Sequence, residues 1–577
     1  MDSEARALRS YGNDPEPRAT KVGRALGLTR PQQLDLAVAL LTIAVFLLFQ
    51  LFLLLGPHPF DPTTYLAAAQ EFPHIAATRW TLRIGLVAPV AIATRVMGVT
   101  EATLYIVPLS AGVLLVTAVY GTMLALFRDR VLAAAAALVA VLNADFLLNS
   151  SFIFPDNFAT ATFAAGFLFL VLGGLAARRS SRWAAWIVVC AGFFFGWTYL
   201  IREFSPILLP TVIVAALLLG YSLRRLGLLV AAAVATGALE LAFGAIRWGR
   251  PFIHLQQLLH HGDEDFGHRA ETVAIVQRGT QDPLDALRVL PRLILSWDSG
   301  WPLLLLAPIF VVALVLLRDR RLWVLATWCF GFWAAMVLLA MGELPSGKWI
   351  INVSNIRYWD PVFPALAMGG LGGLWLLVRR FAPPRRALLA AQLAVVLAAA
   401  LILLPGIAEF RSCSSKNIWR NDPMSRWHEL RSWLGSAEAG SYGQIVTDRL
   451  TRHEFDPVYL SAPLGGRVWE GDVSAWPKSG ARIEPANGAE DSLILLNRRA
   501  VSSLPGGLQE IQSLLATWAP VFVSDDGALV VLAHRPVVPS AGLPAPWWER
   551  EGEGEGEGEG ATLVPSECGI NPITGKP

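Results

Sequence analysis

The sequence predicts a polytopic α-helical membrane protein with a small α/β domain at its C-terminal end. Three observations carry this. Of the 577 residues, 54% are hydrophobic and only 16% are charged, against about 25% charged in an ordinary soluble domain. The apolar residues gather in about eleven runs, each near the roughly 20 residues needed to cross a bilayer. Beyond residue 407 those runs stop, and short strand-like stretches take their place.

The first run, Leu36–Gly56, follows a polar tail holding Arg6, Arg9, Arg18, Lys21, Arg24 and Arg30. A cleaved signal peptide has a shorter charged region and a shorter apolar core, so this run reads as a retained helix. Leu104–Phe127, Val131–Leu148, Phe158–Ala176, Trp183–Tyr199, Pro206–Leu223 and Leu226–Ala245 follow. Trp301–Leu317, Leu322–Met341, Val362–Val378 and Leu388–Leu404 complete the set. Thr81–Met97 is also apolar but contains Arg83, Pro89 and Arg95. It reads as an amphipathic helix lying along one membrane interface. The organisation is then a cytoplasmic tail over 1–34, a transmembrane domain over 35–407, an α/β domain over 408–546 and a low-complexity tail over 547–577.

Arginine placement orients the chain. With the N-terminal tail in the cytoplasm, the turns on that side are Arg128–Arg130, Arg178–Arg182, Arg224-Arg225, Arg318–Arg321 and Arg379–Arg386. All are short and arginine-rich, as the positive-inside rule requires. The opposite loops are mostly longer and carry the acids: Pro57–Thr103, Asn149–Asn157, Arg202–Ser205, Arg247–Gly300 and Gly342–Pro361. An odd number of spans places the C-terminal domain outside with them. Strand-like runs occur there at Gln444–Thr447, Ser492–Leu496, Pro520–Ser524 and Ala528–Ala533, with helical spacing over Gly506–Thr517. Asp525-Asp526-Gly527 reads as a hairpin turn. The Glu-Gly repeat at Glu551–Gly560 has nothing to bury and reads as disordered. Cys413 and Cys568 fall in the oxidising compartment, where either a disulfide or two thiols fit. Nothing in the formal net charge of +2 suggests a nucleic-acid partner; the lipid bilayer is the partner that composition demands.

Three outer features stand out chemically. Asp61 follows the first span directly, with Tyr65 one helical turn on. It reads either as the start of a helix, with Pro62 at the first position, or as a reactive carboxylate at the membrane surface. Asp156, in FIFPDNF, is the only charge of its short loop. Arg79, Arg83, Arg202 and Arg357 all lie on the side where positive charge is least expected. Arginine at a membrane edge often only extends its head to water, but a planar guanidinium also suits phosphate.

The order of these features resembles the GT-C-type membrane glycosyltransferases that use polyprenyl-phosphate sugars. This group includes protein O-mannosyltransferases, lipid A aminoarabinose transferases and cell-wall arabinosyl- and mannosyltransferases. The resemblance rests on Asp61, Tyr65 and Ala68 after the first span, Pro155-Asp156 before the fourth, Arg202-Glu203 after the fifth, and Arg357-Tyr358 with Pro364 before a late span. It covers roughly 36–404. This chain has the single acid Asp61 where many relatives carry an acidic pair.

The resemblance implies an enzyme of a bacterial plasma membrane with its site on the extracytoplasmic side. A polyprenyl-phosphate-linked sugar would be the donor, and an envelope glycan, lipid or protein the acceptor. Asp61 and Asp156 would be the catalytic carboxylates. Arg202 and Arg357, with Arg79 and Arg83, would hold the donor phosphate, and Tyr65, Glu203 and Tyr358 would contact substrate. Transfer would invert the anomeric centre. No metal-ligand set is assigned, although a divalent ion is one option for Asp156.

The loop His254–His268 contains His254, His260, His261 and His268 with Asp263, Glu264 and Asp265. It has metal-binding residue types without a metal-binding spacing, and a solvated or acceptor-facing loop explains it better. Trp297, Trp301 and Trp547-Trp548 read as interface-belt residues, with Trp297 and Asp298 as further carbohydrate contacts. Two other functions fit a polytopic chain. One is a transporter or lipid-linked-sugar flippase, for which Glu240 in the seventh span is the one obvious intramembrane acid. The other is a non-catalytic envelope assembly protein.

Overall fold

A computed structural model describes residues 29–53, 61–78, 81–98, 101–143, 146–147, 150, 152–178, 181–202, 205–254, 256, 284–295, 300–343, 349–351, 356–416, 424–448, 451–452, 468–475, 491–501, 507–534 and 542–550. Each of the apolar runs named above contains a helix. The helices are α1 (Arg30–Phe52), α4 (Glu101–Phe127), α5 (Arg130–Leu142), α6 (Pro155–Arg178), α7 (Ala184–Ile201), α8 (Leu209–Leu219), α9 (Leu223–Trp248), α11 (Trp301–Leu317), α12 (Arg320–Ala340), α13 (Val362–Phe381) and α14 (Ala387–Lys416). Among the described residues seven helices are long and apolar enough to cross a membrane. Three further helices lie between these: α2 (Asp61–Glu71), α3 (Ile84–Met97) and α10 (Leu284–Ile294).

Polar contacts sort the helix ends into two sets. At one end Arg130 of α5 bonds Asp35 and the Pro31 carbonyl of α1, Arg178 of α6 bonds the Leu219 carbonyl of α8, and Gln392 of α14 bonds Asp129. At the other end Arg247 and Trp248, closing α9, donate to the His74 and Ile75 carbonyls in the loop between α2 and α3. Phe72 of that loop stacks on Phe243 of α9 at 5.6 Å. The 14-residue α3 is too short to cross a bilayer upright. It meets the end of α7 at its start and bonds Phe72 through Arg95 near its finish, so both of its ends belong to the same rim.

Helix packing is closest where glycine removes side-chain bulk. A Cβ on Gly192 of α7 would lie 2.4 Å from the Leu229 carbonyl oxygen of α9, and one on Gly196 would lie 2.5 Å from that of Ala233. The α7 and α9 backbones therefore touch, as small residues permit in membrane helix pairs. Gly369, Gly370 and Gly373 of α13 admit Phe310, Leu306 and Ala313 of α11 in the same way.

Helix α14 continues through Pro405 to Lys416, so the junction to the C-terminal domain is helical. That domain has a five-stranded sheet in the order β4 (Asp472–Ala475), β3 (Gln444–Thr447), β5 (Ser492–Asn497), β7 (Leu529–His534), β6 (Trp518–Val523). The first three strands are parallel, and β7 runs antiparallel to both its neighbours, β5 and β6. A two-stranded ribbon, β1 (Met341–Glu343) and β2 (Trp349–Ile351), lies in the loop before α13. Gly527, at φ 74°, supplies the left-handed residue of the β6–β7 turn. Leu493 and Leu495 face Trp427 and Leu430 of α15 (Met424–Leu434), while Ile494 and Leu496 face α17 (Gly507–Leu514), which follows the one-turn α16 (Arg498–Val501).

Two expectations change here. Strand β4 has no counterpart in the sequence reading. Trp547, expected at a membrane interface, is instead buried in the sheet domain's second core, with Trp548 packed on it. Its backbone N–H bonds the Gly527 carbonyl, so α18 (Trp547–Arg550) belongs to the domain. The Glu-Gly repeat, Cys568 and the Cys413 side chain lie outside the described residues.

Candidate active site

Asp156 and Arg202 form the centre of the rim. Asp156 is the second residue of α6. Arg202 caps α7 in an extended conformation at φ −140° and ψ 123°, which turns its side chain out of the helix. The guanidinium donates to Asp156 Oδ1 from Nε at 2.8 Å and from Nη2 at 2.5 Å. Asp156 is 1% exposed and Arg202 8%. Removing one partner of such a pair strands a buried charge and costs about 3–5 kcal/mol. One turn below, the Thr162 and Thr198 hydroxyls bond at 2.9 Å and tie α6 to α7 directly beneath the pair.

Tyr358 arrives from far along the chain. It lies in a one-turn 3-10 helix, Ile356–Trp359, before α13. Its ring centroid is 5.1 Å from the Arg202 guanidinium carbon, a cation–π contact. Trp359 and Asp360 beside it are fully buried. A second pair lies close by. Arg83, at the start of α3, donates to the Tyr65 hydroxyl of α2. A Cβ on Gly85 would sit 2.8 Å from the Leu200 backbone, and the Trp197 indole donates to the Gly85 carbonyl at 3.1 Å. Arg83 and Arg202 therefore flank one close contact between α3 and the end of α7.

A third pair has no counterpart in the sequence reading. Glu240 of α9 bonds the Nδ1 of His254, and both are buried. After α9 the chain turns at Gly249, in the left-handed region at φ 64°. It then folds back so closely that a Cβ on Gly244 would meet the Arg250 carbonyl oxygen at 2.8 Å. His254, expected in a solvated or acceptor-facing loop, is buried against Glu240 instead. Glu240, the one obvious intramembrane acid of the sequence, has an imidazole partner. Among the described residues no group of three His, Cys, Asp or Glu side chains gathers to hold a metal.

The expected residues divide accordingly. Asp156, Arg202 and Tyr358 meet directly, and Tyr65 and Arg83 pair beside them. Asp61 opens α2, one turn before Tyr65, so its backbone belongs to the same rim. Arg357 precedes Tyr358 in the same turn. The side chains of Asp61 and Arg357, the whole of Arg79 and Glu203, and Trp297, Asp298 and Gln257–His268 of the long loop lie outside the described residues.

No protein-family model and no curated protein matches the chain. Solved structures do match in shape. ArnT from Cupriavidus metallidurans in the apo state superposes with a TM-score of 0.52 at 13% identity, covering 86% of this chain and 97% of that one. The same protein bound to undecaprenyl phosphate gives 0.50 at 14% identity, covering 88% and 99%. The chain has the GT-C fold. It is a multi-pass membrane protein built on that fold, with the small sheet domain appended after its last membrane helix. At this identity the likeness concerns architecture, and the chemistry rests on the residues at the rim.

Proposed function

We propose that this protein is a membrane glycosyltransferase. It moves a sugar from a polyprenyl-phosphate donor to an envelope glycan, lipid or protein on the extracytoplasmic face of a bacterial plasma membrane. The observation that carries the proposal is the buried Asp156–Arg202 pair under Tyr358, at the rim of a GT-C bundle. ArnT, which shares the fold, has been solved with undecaprenyl phosphate bound, and a lipid phosphate needs fixed positive charge at the membrane surface.

The chemistry follows from charge. The acceptor hydroxyl gives its proton to the Asp61 carboxylate, and its oxygen forms a bond to the anomeric carbon. The bond from that carbon to the phosphate oxygen breaks, and the electron pair leaves with the phosphate. A phosphate departs as a stable anion, so no general acid is needed. Single displacement inverts the anomeric centre. Arg202 stabilises the phosphate charge as it grows, with Arg357, Arg79 and Arg83 as further cations. Asp156 holds Arg202 in place, so the guanidinium need not reorganise during the reaction. Tyr65, Glu203 and Tyr358 contact substrate in this reading. The arginine-rich turns at the opposite end support a cytoplasmic placement for that end.

The test uses the full chain in lipid nanodiscs. Radiolabelled undecaprenyl-phosphate arabinose, mannose and aminoarabinose are supplied with envelope material from a strain lacking the protein. Transfer of label from one donor is expected, with its loss in Asp61→Asn at unchanged expression. Movement of an intact lipid-linked sugar across proteoliposomes, without transfer, would establish a flippase instead.

A further inference from the structure

The loop between α2 and α3 is held by residues that the reaction just described does not use. Tyr65 lies on α2 before the loop, Arg83 opens α3 after it, and the two side chains bond each other. Within the loop Ile75 is fully buried, while Pro73, His74 and Ala76 are exposed. Apolar burial therefore does little to fix it. Polar and aromatic contacts do that instead. Arg247 Nη2 donates to the His74 carbonyl at 3.0 Å, and the Trp248 indole donates to the Ile75 carbonyl at 3.2 Å. Both donors come from 173 positions further along the chain. Phe243, earlier on α9, stacks on Phe72 and takes the Trp248 ring edge-on at 5.3 Å. The Thr81 hydroxyl donates to the Ala76 carbonyl at 2.5 Å and accepts from the Thr78 N–H at 2.8 Å. A shift at Ile75 is thus passed to the residues that lead into Arg83.

Helix α9 is itself fixed against α7, through the backbone contacts at Gly192 and Gly196. Gly85 of α3 meets Leu200 of α7. Three contacts therefore close a triangle: α9 on the loop, α9 on α7, and α3 on α7. Arg83 and Arg202 flank the last of these, and α9 supplies the other two. We propose that Arg247 and Trp248 are positioning residues of the donor site. By holding the His74 and Ile75 carbonyls they set the place of Arg83, with Tyr65 bonded to it, relative to Arg202. The two guanidiniums then meet one donor phosphate. The proposal rests on the glycosyltransferase reading. A displacement of about 1 Å that originates far from the reacting atoms can cost about 100-fold in rate. An interface-belt tryptophan turns its N–H toward the headgroups, whereas that of Trp248 is bound to protein.

The experiment measures kcat and KM for donor and acceptor separately. It uses the full chain in nanodiscs, with the labelled undecaprenyl-phosphate sugars and envelope acceptor named above. Arg247→Met and Trp248→Phe each remove one hydrogen-bond donor, and the phenyl ring keeps the contact with Phe243. Together they are expected to lower kcat/KM for the donor by about tenfold, with the acceptor KM within about twofold. Arg83→Met is expected to lower the same quantity by at least as much. The deciding measurement is the cycle. In the Arg83→Met background the two substitutions are expected to cost nothing further, because residues that act through one group are not additive. A general loosening of the fold would instead cost the same in both backgrounds. Arg247 is exposed, so Arg247→Met alone carries the cycle if the double variant does not accumulate. Two results would overturn this inference and leave the glycosyltransferase reading standing. One is the full loss recurring in the Arg83→Met background. The other is donor kinetics unchanged by Arg83→Met or by the α9 substitutions. Wild-type protein that transfers no sugar from any of the three donors would overturn the glycosyltransferase reading and, with it, this one.

Discussion

The two ends of the helix bundle use the same residue types in opposite ways. At the end with short turns, arginines lie at the surface. The Arg130–Asp35 pair is 34% and 31% exposed, and Arg321–Asp319 is 38% and 21% exposed. These guanidiniums cap carbonyls, bond acids within reach and set orientation. At the rim, the Asp156–Arg202 pair is 9% and 1% exposed by side chain, in the order arginine then aspartate. An exposed pair contributes little, whereas a buried one gains little over apolar packing and loses much when broken. A chain that only needed to fold had no reason to bury the second pair. The difference teaches that function is read from the costly charge rather than from the numerous ones.

That contrast can be broken by substitution. The largest effect is expected from Asp156→Asn or Arg202→Met alone. Each lowers initial transfer rates by about 100-fold or more and destabilises the purified protein by about 3–5 kcal/mol in thermal unfolding. Asp156→Leu combined with Arg202→Met restores most of that stability, since apolar side chains replace a buried pair without loss. It restores no transfer, and recovery of activity in the double variant would make the pair purely structural. Tyr358→Ala removes the aromatic face over Arg202 and costs about tenfold in rate, while Tyr358→Phe keeps it. At the opposite end, Arg130→Ala changes stability by about 1 kcal/mol or less and leaves transfer unchanged.

The C-terminal domain lies between these extremes and supplies a pH test. Burial pushes the Asp526 carboxyl up, but the Ser524 hydroxyl, the Ala528 N–H and Arg426 more than reverse this and hold it below the ordinary carboxylate range. Arg426 Nη2 lies 2.5 Å from Asp526 Oδ2. A lowered carboxyl contributes stability above its unfolded value, and that contribution fades as pH falls through the folded one. Thermal unfolding of the wild type is therefore expected to weaken below about pH 4. In Arg426→Ala that acid-dependent loss shrinks.

The membrane fold was legible because lipid leaves few choices. A backbone that must satisfy its own polar groups forms helices, and their apolar runs can be counted. Charges stranded at the ends of those runs, Asp156 and Arg202 above all, could be picked out for the same reason. Which of them meet could not. Tyr358 reaches Arg202 only through packing of a turn some hundred and fifty residues later. Glu240 and His254 are separated by a helix end and a reversal, so no helical spacing links them. The remaining signals were Gly244 and Gly249, small enough and free enough to let the chain return. Strand β4 was hidden because DVSA has no apolar alternation and pairs only at the sheet edge.

The contact between α7 and α9 has a mechanical consequence. Because backbone rests on backbone at Gly192 and Gly196, no rotamer change can alter the spacing there. The height of α7 relative to α9 is set as if by a gauge block. A membrane that thickens or thins must then be accommodated by tilt and by the lipid-facing surfaces of α1 and α9, where leucines stand exposed. The end of α7 would keep its place against α9 while the surrounding scaffold adjusts to the bilayer.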